Sequence, residues 1–423
     1  MATLVAAAAC SSNTATTTTT TKPAASSTTT TAAPANHSPI IIGVALGDYS
    51  AFSKISSKYG VGPVQLEMAS VLSAWQKAHE ASIGGRPIEF VYHTFNILNE
   101  AAATALCTTF AQDDHVFAVL GTPYFTSGAE CLASRFHIPV IDATSAQGSV
   151  FSQSGSDYFS IFPEADTYYA AFVKWAADHG YLKGKTIGVM YNSQETSEST
   201  DAGIAELTKL GYKVALKVDT GGFGNNVANI AIEKLQAAHV NLIIPFTGGS
   251  VLNQALAFAA QQHYTPQLLD LDTYFHTQDV TGETEAPFYS GTRALTDIRD
   301  GESAAGIAPP PQAKLCVSNY EHFTGRSFPK NPWSASGEYG FVLLDCDLGA
   351  VLLKGLQNAA APLTAAGFVA GLEKISNLPA SYGNVISFSA TKHWGYDDVR
   401  PVQFETSCGC WIARGPWVGL SSL

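Results

Sequence analysis

The residues of this 423-residue chain best equipped for chemistry are hydroxyls, aromatic rings and carboxylates, each standing just behind a short apolar run. Thr122-Pro123-Tyr124-Phe125-Thr126-Ser127 follows the run Val116 to Leu120 and opens an amphipathic stretch. A strand that leads into a helix leaves free backbone N–H groups at the helix N-terminus. These favour a carboxylate, and the hydroxyls of Thr126 and Ser127 add donors. The same two hydroxyls could instead do no more than cap the helix. Tyr124 in this loop, and Tyr49, Tyr191 and Tyr274 behind other apolar runs, are candidate aromatic walls, although a lone tyrosine more often packs than binds. No Gly-x-Ser-x-Gly elbow and no P-loop occur, and Gly222-Phe223-Gly224 lacks the third glycine of a dinucleotide fingerprint. The histidines are scattered without ligand spacing, except His276 near Asp272 and Asp279. No nucleophile and base pair off, so neither catalysis nor a cofactor is expected.

The net charge of −12 excludes nucleic acid as a partner, because a phosphate backbone demands a basic face. No run of 18 or more apolar residues exists, so no segment is expected to span a bilayer. Small apolar residues, Leu4, Val5 and Ala6 to Ala9, precede Cys10. This stretch resembles the lipobox of bacterial lipoproteins, which implies cleavage before Cys10 and a diacylglycerol on its thiol. Residues 1–10 then read as the remnant of a signal peptide; an Ala-rich N-terminus without that role is the alternative. Ser and Thr make up more than half of residues 11–39. Such a segment has little to bury and reads as a disordered tether, spanning roughly 30 Å. The picture is an exported head held to the outer face of a cell membrane by lipid alone.

Setting Cys10 aside, six cysteines remain, which formally allow fifteen connectivities. Three local pairs are plausible in an exported chain: Cys107 with Cys131, Cys316 with Cys346, and Cys408 with Cys410. Buried free thiols are the alternative, above all for the tight Cys408-Gly409-Cys410 pair.

From residue 40 onward apolar runs alternate with amphipathic stretches. Strands are expected at 40–44, 87–92, 116–120, 138–141, 158–162, 186–190, 213–218, 241–245 and 267–271. Helices are expected at 64–78, 99–112, 165–179, 198–210, 226–238, 251–262, 312–324, 335–358 and 363–376, with short antiparallel strands over 384–414. Alternation of this kind gives an α/β fold with parallel central sheets covered by helices on both faces. Binding crevices in such sheets lie beyond the C-terminal ends of the strands.

The turn Ala78-His79-Glu80-Ala81-Ser82-Ile83-Gly84-Gly85-Arg86-Pro87-Ile88-Glu89-Phe90 resembles a hallmark of type I periplasmic binding proteins of the leucine/isoleucine/valine-binding kind. So do Val119-Leu120-Gly121, Ser127, Cys131 and Ile138-Pro139-Val140-Ile141. Lys185 to Tyr191, Leu210 to Val214 and Asn241 to Ile244 are similar to the second half of that family. The resemblance covers about 40–415. It implies two Rossmann-like lobes joined by a three-crossing hinge, lobe one holding 40–162 and 291–385, lobe two 163–290 and 386–420.

It also implies a small polar ligand, an amino acid or related carboxylate, captured between closing lobes and delivered to ABC permease subunits by a monomeric protein. Site residues implied this way are the Thr122 to Ser127 loop with Phe125, then Thr144 and Ser145, and Phe246 with Thr247. Asp272 falls where a carboxylate pairs with a ligand ammonium, beside Tyr274. Where the family often has Ser-Pro, this chain has Asp142-Ala143. A ligand-sensing protein of the same fold, acting on a separate signalling partner, is the alternative function.

Overall fold

The computed structural model describes residues 38–48, 64–79, 82–97, 99–193, 196–221, 225–247, 249–271, 273, 286–328 and 338–423. Cys10, Tyr49, Asp272, Tyr274, His276 and Asp279 lie outside them. The chain builds two sheets of the α/β type.

The first sheet uses β1 (Ile40–Asp48), β2 (Ser82–Ile83), β3 (Arg86–Asn96), β4 (Ala118–Gly121), β5 (Val140–Asp142) and β6 (Tyr158–Ser160) in the order β2-β3-β1-β4-β5-β6. All its pairings are parallel except the β2–β3 hairpin. β1 and β4 are apolar and almost wholly buried, as strands covered on both faces must be. Around them lie α1 (Val64–His79), α2 (Glu100–Thr108), α3 (Thr126–Phe136) and α4 (Gly148–Ser154). Three later helices, α10 (Pro311–Thr324), α11 (Glu338–Asn358) and α12 (Ala365–Leu372), join the same apolar core: Leu72 and Trp75 share it with Tyr320, Leu348, Leu352 and Phe368.

The second sheet uses β7 (Ile187–Tyr191), β8 (Val214–Asp219), β9 (Leu242–Phe246), β10 (Gln267–Asp270), β11 (Arg293–Thr296), β14 (Asp398–Glu405) and β15 (Cys410–Ala413) in the order β15-β14-β11-β10-β9-β7-β8. Its strands from β8 to β11 are parallel, and β14 runs antiparallel to β11. β16 (Val418–Gly419) pairs with β14, and β12 (Leu378–Pro379) with β13 (Val385–Ile386) forms a separate hairpin. Alternate residues serve opposite faces. Met190 and Ile243 pack with Leu235 of α7 (Asn225–Ala237), Leu252 and Leu256 of α8 (Gly249–Gln261) and Tyr289 of α9 (Ala286–Tyr289). Val189 and Ile244 pack with Phe172 of α5 (Ala165–Asp178) and Leu207 of α6 (Ser197–Lys209).

Parallel register aligns the strand ends that matter. Gly121, Asp142 and Ser160 lie level at the C-terminal end of the first sheet. Tyr191, Asp219 and Phe246 do so in the second.

Element bounds differ from the sequence expectation for local reasons. The strand expected from Val116 begins at Ala118, because Val116 N–H bonds to Phe110 O at 3.1 Å. The helix expected over 99–112 ends at Thr108 and widens into one π turn, Thr109–Asp113. The helix at 363–376 is shorter, starting where Thr364 accepts the Gly367 N–H at 3.0 Å as N-cap.

Disulfides join Cys107 to Cys131 (α2 to α3), Cys316 to Cys346 (α10 to α11), and Cys408 to Cys410 in the β14–β15 turn. The first two close 24- and 30-residue separations, each able to add about 3–4 kcal/mol by restraining the unfolded chain. Among the described residues no helix is long and apolar enough to cross a membrane.

Three segments connect the sheets: 161–164, 297–310 and 387–397. The first and third lie backbone to backbone. Tyr396 N–H donates to Ile161 O at 2.9 Å and Ser160 N–H donates to His393 O at 2.9 Å, while Ser387 N–H donates to Gly395 O at 3.2 Å within the third segment itself. A Cβ on Gly395 would stand 2.7 Å from Ile161 O and 3.0 Å from its Cα. Neither atom belongs to a side chain that could swing away. Gly395→Ala is therefore expected to lower stability by about 1–3 kcal/mol through overpacking, read as a lower urea midpoint at unchanged m-value.

Candidate functional site

The Thr122 to Ser127 loop leaves β4 at Gly121. Thr122-Pro123-Tyr124-Phe125 is a tight turn closed by Phe125 N–H donating to Thr122 O at 3.1 Å. The Thr122 hydroxyl accepts the Gly47 N–H at 3.1 Å, tying the turn to the end of β1. α3 then starts with Phe125 as N-cap and no side-chain capping bond. The capping alternative for Thr126 and Ser127 does not hold. Ser127 Oγ instead donates to Glu100 O of α2 at 3.4 Å, and Thr126 is half-buried in the first turn.

Phe125 is not a wall residue. It is fully buried, 5.4 Å from the Phe95 ring and 6.4 Å from the Phe110 ring, because an aromatic of this size is worth more in the core beneath the loop than on its rim.

At the end of β5, Ser145 and Thr144 are half-buried. Ser145 Oγ donates to Pro163 O at 2.8 Å, so its hydroxyl fastens this loop to the first connecting segment. Thr144 O accepts from Ser160 Oγ at 2.6 Å. Between the two loops lies a group to which the sequence reading assigned no role. Asp142 is completely buried, and its carboxyl accepts the Ala143 N–H at 2.9 Å and the Tyr158 hydroxyl at 2.9 Å. Burial pushes it up to about 7, against the lowering pull of Tyr158, the Ala143 N–H and Thr144. Only glycine fits at position 121, since a Cβ there would lie 2.4 Å from Asp142 Oδ1.

In the second sheet, Tyr191 is half-buried at the end of β7, with the Lys217 ammonium 4.1 Å from its ring centre. Thr247 is buried, and its hydroxyl is paired with that of Thr220 at 2.9 Å. Phe246, like Phe125, belongs to the core rather than the rim. It is 1% exposed and stacked on Tyr169 at 4.3 Å. Its carbonyl accepts from Thr196 Oγ1 at 2.6 Å.

The two sets of strand ends meet across a polar bridge. Glu198 N–H, in the first turn of α6, donates to Gln147 Oε1 at 2.7 Å, and Glu198 Oε2 accepts the Ser149 N–H at 3.2 Å. Asp166 Oδ2 accepts the Gly148 N–H at 3.1 Å. Asp166 is raised to about 6, by burial first and then by the carboxylates of Glu198 and Glu164. The tertiary fold alone brings these residues together; Gln147 and Glu198 are 51 positions apart. The arrangement holds polar groups, rings and backbone amides around facing strand ends. Among the described residues no group of three His, Cys, Asp or Glu could hold a metal ion.

The family model described as periplasmic binding protein matches residues 56–408. The chain belongs to that family. No curated protein sequence matches it. Among solved structures, this periplasmic binding protein is similar to a leucine-binding protein of Thermotoga maritima, at 14% identity over 91% of this chain and 100% of the other, TM-score 0.67. A branched-chain amino acid ABC transporter protein of Thermus thermophilus with bound valine shares 14% identity over 90% and 96%, TM-score 0.69. A solute-binding protein of an ABC transporter from Rhodopseudomonas palustris HaA2, in complex with p-hydroxybenzoic acid, shares 15% over 90% and 97%, TM-score 0.68. The two-lobe α/β fold expected from the sequence is the fold of these proteins.

Asp142 and two further buried carboxyls give the protein a pH signature. Asp300, bonded to the Gly301 N–H at 2.8 Å, is raised by burial to about 7. Asp347, which accepts from Ser381 N–H, Tyr382 N–H and Tyr396 Oη at 2.6, 2.9 and 2.8 Å, is raised by burial to about 6. All three titrate above the ordinary 3.8. Their protonated forms thus favour the folded chain: the contribution is whole below that ordinary value and is lost as pH rises through 6 to 7. The melting temperature is expected to be higher at about pH 5.5 than at about pH 8. Asp142→Asn is expected to flatten that slope, as followed by circular dichroism.

Proposed function

We propose that this periplasmic binding protein captures a small carboxylate-bearing solute between its two lobes and presents it to ABC permease subunits, with no cofactor and no catalysis. One observation carries the reading. The C-terminal ends of the parallel strands of the two sheets face each other across the Gln147–Glu198–Ser149 bridge, and α3, which follows one of those strands, starts without a side-chain capping bond. Free N–H groups at such an end suit a carboxylate. Valine and p-hydroxybenzoic acid, named with two of the structural neighbours, both carry one. Tyr124, Thr126, Thr144 and Tyr191 supply the rim in this reading. Tyr49, Asp272 and Tyr274 complete it, Asp272 meeting an ammonium where the solute has one. Lobe one comprises 40–162 and 291–385, and lobe two 163–290 and 386–420.

The same reading places the protein outside the cytoplasm, as a monomer anchored through lipid on Cys10, where its three disulfides persist. Cys10→Ala is expected to move the protein from the membrane fraction to the soluble fraction of expressing bacteria. Its retention in membranes would defeat the anchor.

The test of capture is thermal unfolding of the purified protein against leucine, valine, benzoate and p-hydroxybenzoate, extended to dicarboxylates and amides. A ligand at 1,000 times its Kd adds about 4 kcal/mol, a rise of several degrees. A rise confined to one chemical class identifies the cargo. No rise with any member defeats the reading.

A further inference from the structure

The Cys408–Cys410 disulfide adds little to the hairpin that carries it. The other two disulfides close separations of 24 and 30 residues, and this one closes a separation of 2. The restraint a disulfide places on the unfolded chain shrinks with the loop it closes. The hairpin is also held by other means. β14 and β15 pair from Val402 and Ala413 to Glu405 and Cys410. In the turn, Cys408 N–H donates to Glu405 O and Gly409 N–H to Thr406 O, both at 3.3 Å. Phe404 and Trp411 are buried with ring centres 5.4 Å apart, and the Trp411 indole N–H donates to Thr273 O at 3.0 Å.

Access sets this bond apart. Cys107 is fully buried, and Cys316 and Cys346 are 6% and 7% exposed, whereas Cys408 is exposed and Cys410 half-buried. A thiolate must reach a sulfur to open a disulfide, so exposure selects among the three. The opened form is provided for as well. Cys408 Sγ lies 3.5 Å from Glu405 O and 3.8 Å from Cys410 O, which accept an S–H once the bond is broken. The Glu405 carboxylate, opposite Cys410 in the ladder, is paired with Arg414. A thiolate leaving at Cys410 therefore meets negative charge that is already matched. The single residue between the two cysteines is Gly409, with φ of +58°, a conformation glycine takes at no steric cost.

We propose that Cys408–Cys410 is a thiol–disulfide exchange site that accepts electrons from a low-molecular-weight thiol. The bond is closed at rest and opens where such a thiol meets it. A thiolate, R–S⁻, attacks Cys408 Sγ. An R–S–Sγ bond forms, and the Cys408–Cys410 bond breaks with its electron pair on Cys410 Sγ, which takes a proton. A second thiolate attacks the R sulfur, releasing R–S–S–R and the Cys408 thiolate, which is protonated in turn. Two thiols are oxidised to one disulfide, and the protein disulfide is reduced to two thiols. The site stands at the end of the second sheet away from the candidate cleft. β14 runs antiparallel to β11, so the turn after Glu405 lies beyond Arg293, where β11 begins. Exchange is thus a second property of the chain, independent of solute capture.

The experiment incubates the full chain with excess reduced glutathione at about pH 8, where thiols are partly ionised. Aliquots are quenched by alkylation, and the modified cysteines are mapped by mass spectrometry. Cys408 and Cys410 are expected to open at least about tenfold faster than the other four, because access governs attack. Cys410→Ser mixed with oxidised glutathione is expected to carry one glutathione on Cys408. The opened wild type is expected to keep its circular dichroism and to melt within a few degrees of the closed form.

Release of Cys107, Cys131, Cys316 or Cys346 as fast as Cys408 overturns the proposal. So does a Cys408–Cys410 bond that excess glutathione leaves closed. A large fall in melting temperature on opening would make the bond a structural staple, and overturns it as well. Failure of every solute in the capture panel leaves exchange untouched, and failure of exchange leaves capture untouched.

Discussion

The architecture depends on one backbone lock between the sheets. Ile161 O accepts the Tyr396 N–H, Ser160 N–H reaches His393 O, and Gly395 lies against the backbone of Ile161. Each sheet has its own apolar core: one cluster surrounds the first sheet, and two cover the faces of the second. Without the lock, two of the three segments that join the α/β units would lose their backbone tie, and the register that brings Gly121, Asp142 and Tyr191 to facing edges would be less firmly held. Ser145 Oγ on Pro163 O and Ala165 N–H on Ala146 O extend the lock directly into the β5 loop.

A second network secures the remaining connection. Glu302 sits between Arg299 and Arg400, its Oε1 at 3.1 Å and 2.5 Å from their Nη1 atoms, and it accepts the Trp417 indole N–H at 3.1 Å. Arg299 and Arg400 also face the Trp417 ring at 5.7 and 5.2 Å from its centre. Arg299 bonds to Ala380 O and Arg400 to Gly415 O, so the network links the segment after β11 to β14 and the C-terminal turn. A buried ion pair is weak evidence for net stability, because desolvation offsets much of the attraction. Losing one partner nonetheless strands the other and is strongly destabilising. The network therefore acts more as a specifier of geometry than as a source of stability.

The sheets were legible in the sequence because parallel strands buried on both faces must read as continuous apolar runs, and Ile40 to Val44, Thr186 to Met190 and Asn241 to Pro245 do so. The loops that carry the candidate site were legible by position for the same reason. The direction of individual side chains in them was not. Phe125 and Phe246 stand in the right loops but turn into the cores, since an aromatic at a strand end can serve either side and burial decides. The Ser145 hydroxyl and the Thr247 hydroxyl are spent on internal bonds that depend on residues 18 and 27 positions away. The Gln147–Glu198 bridge and the Glu302 network span 51 and up to 115 positions. Each partner is an ordinary exposed-type polar residue until the fold brings it to the other, so no local pattern marks it.

The chemistry of the bridge sets how strongly the two well-packed units are held to each other at their strand ends. Its contacts are a handful of hydrogen bonds between exposed or half-exposed groups: exposed Glu198 with Gln147 and Ser149, and half-buried Asp166 with Gly148. Each such bond is worth only about 0.5–1.5 kcal/mol net in contact with water, rising to about 1.5–3 kcal/mol where a carboxylate accepts. Glu164, Asp166 and Glu198 gather around the first residues of α4, and their mutual repulsion is what helps raise Asp166. That repulsion subtracts from an already modest attraction. By contrast, the cores on either side bury large apolar side chains such as Phe125, Phe172, Phe246 and Leu352 completely or nearly so, each worth about 1.5–3 kcal/mol. Opening the lobes therefore breaks a few polar bonds that water replaces, while opening a core exposes apolar surface that water does not favour. The weaker set of interactions is the seam between the two sheets, and a solute held by groups from both sides would add contacts there.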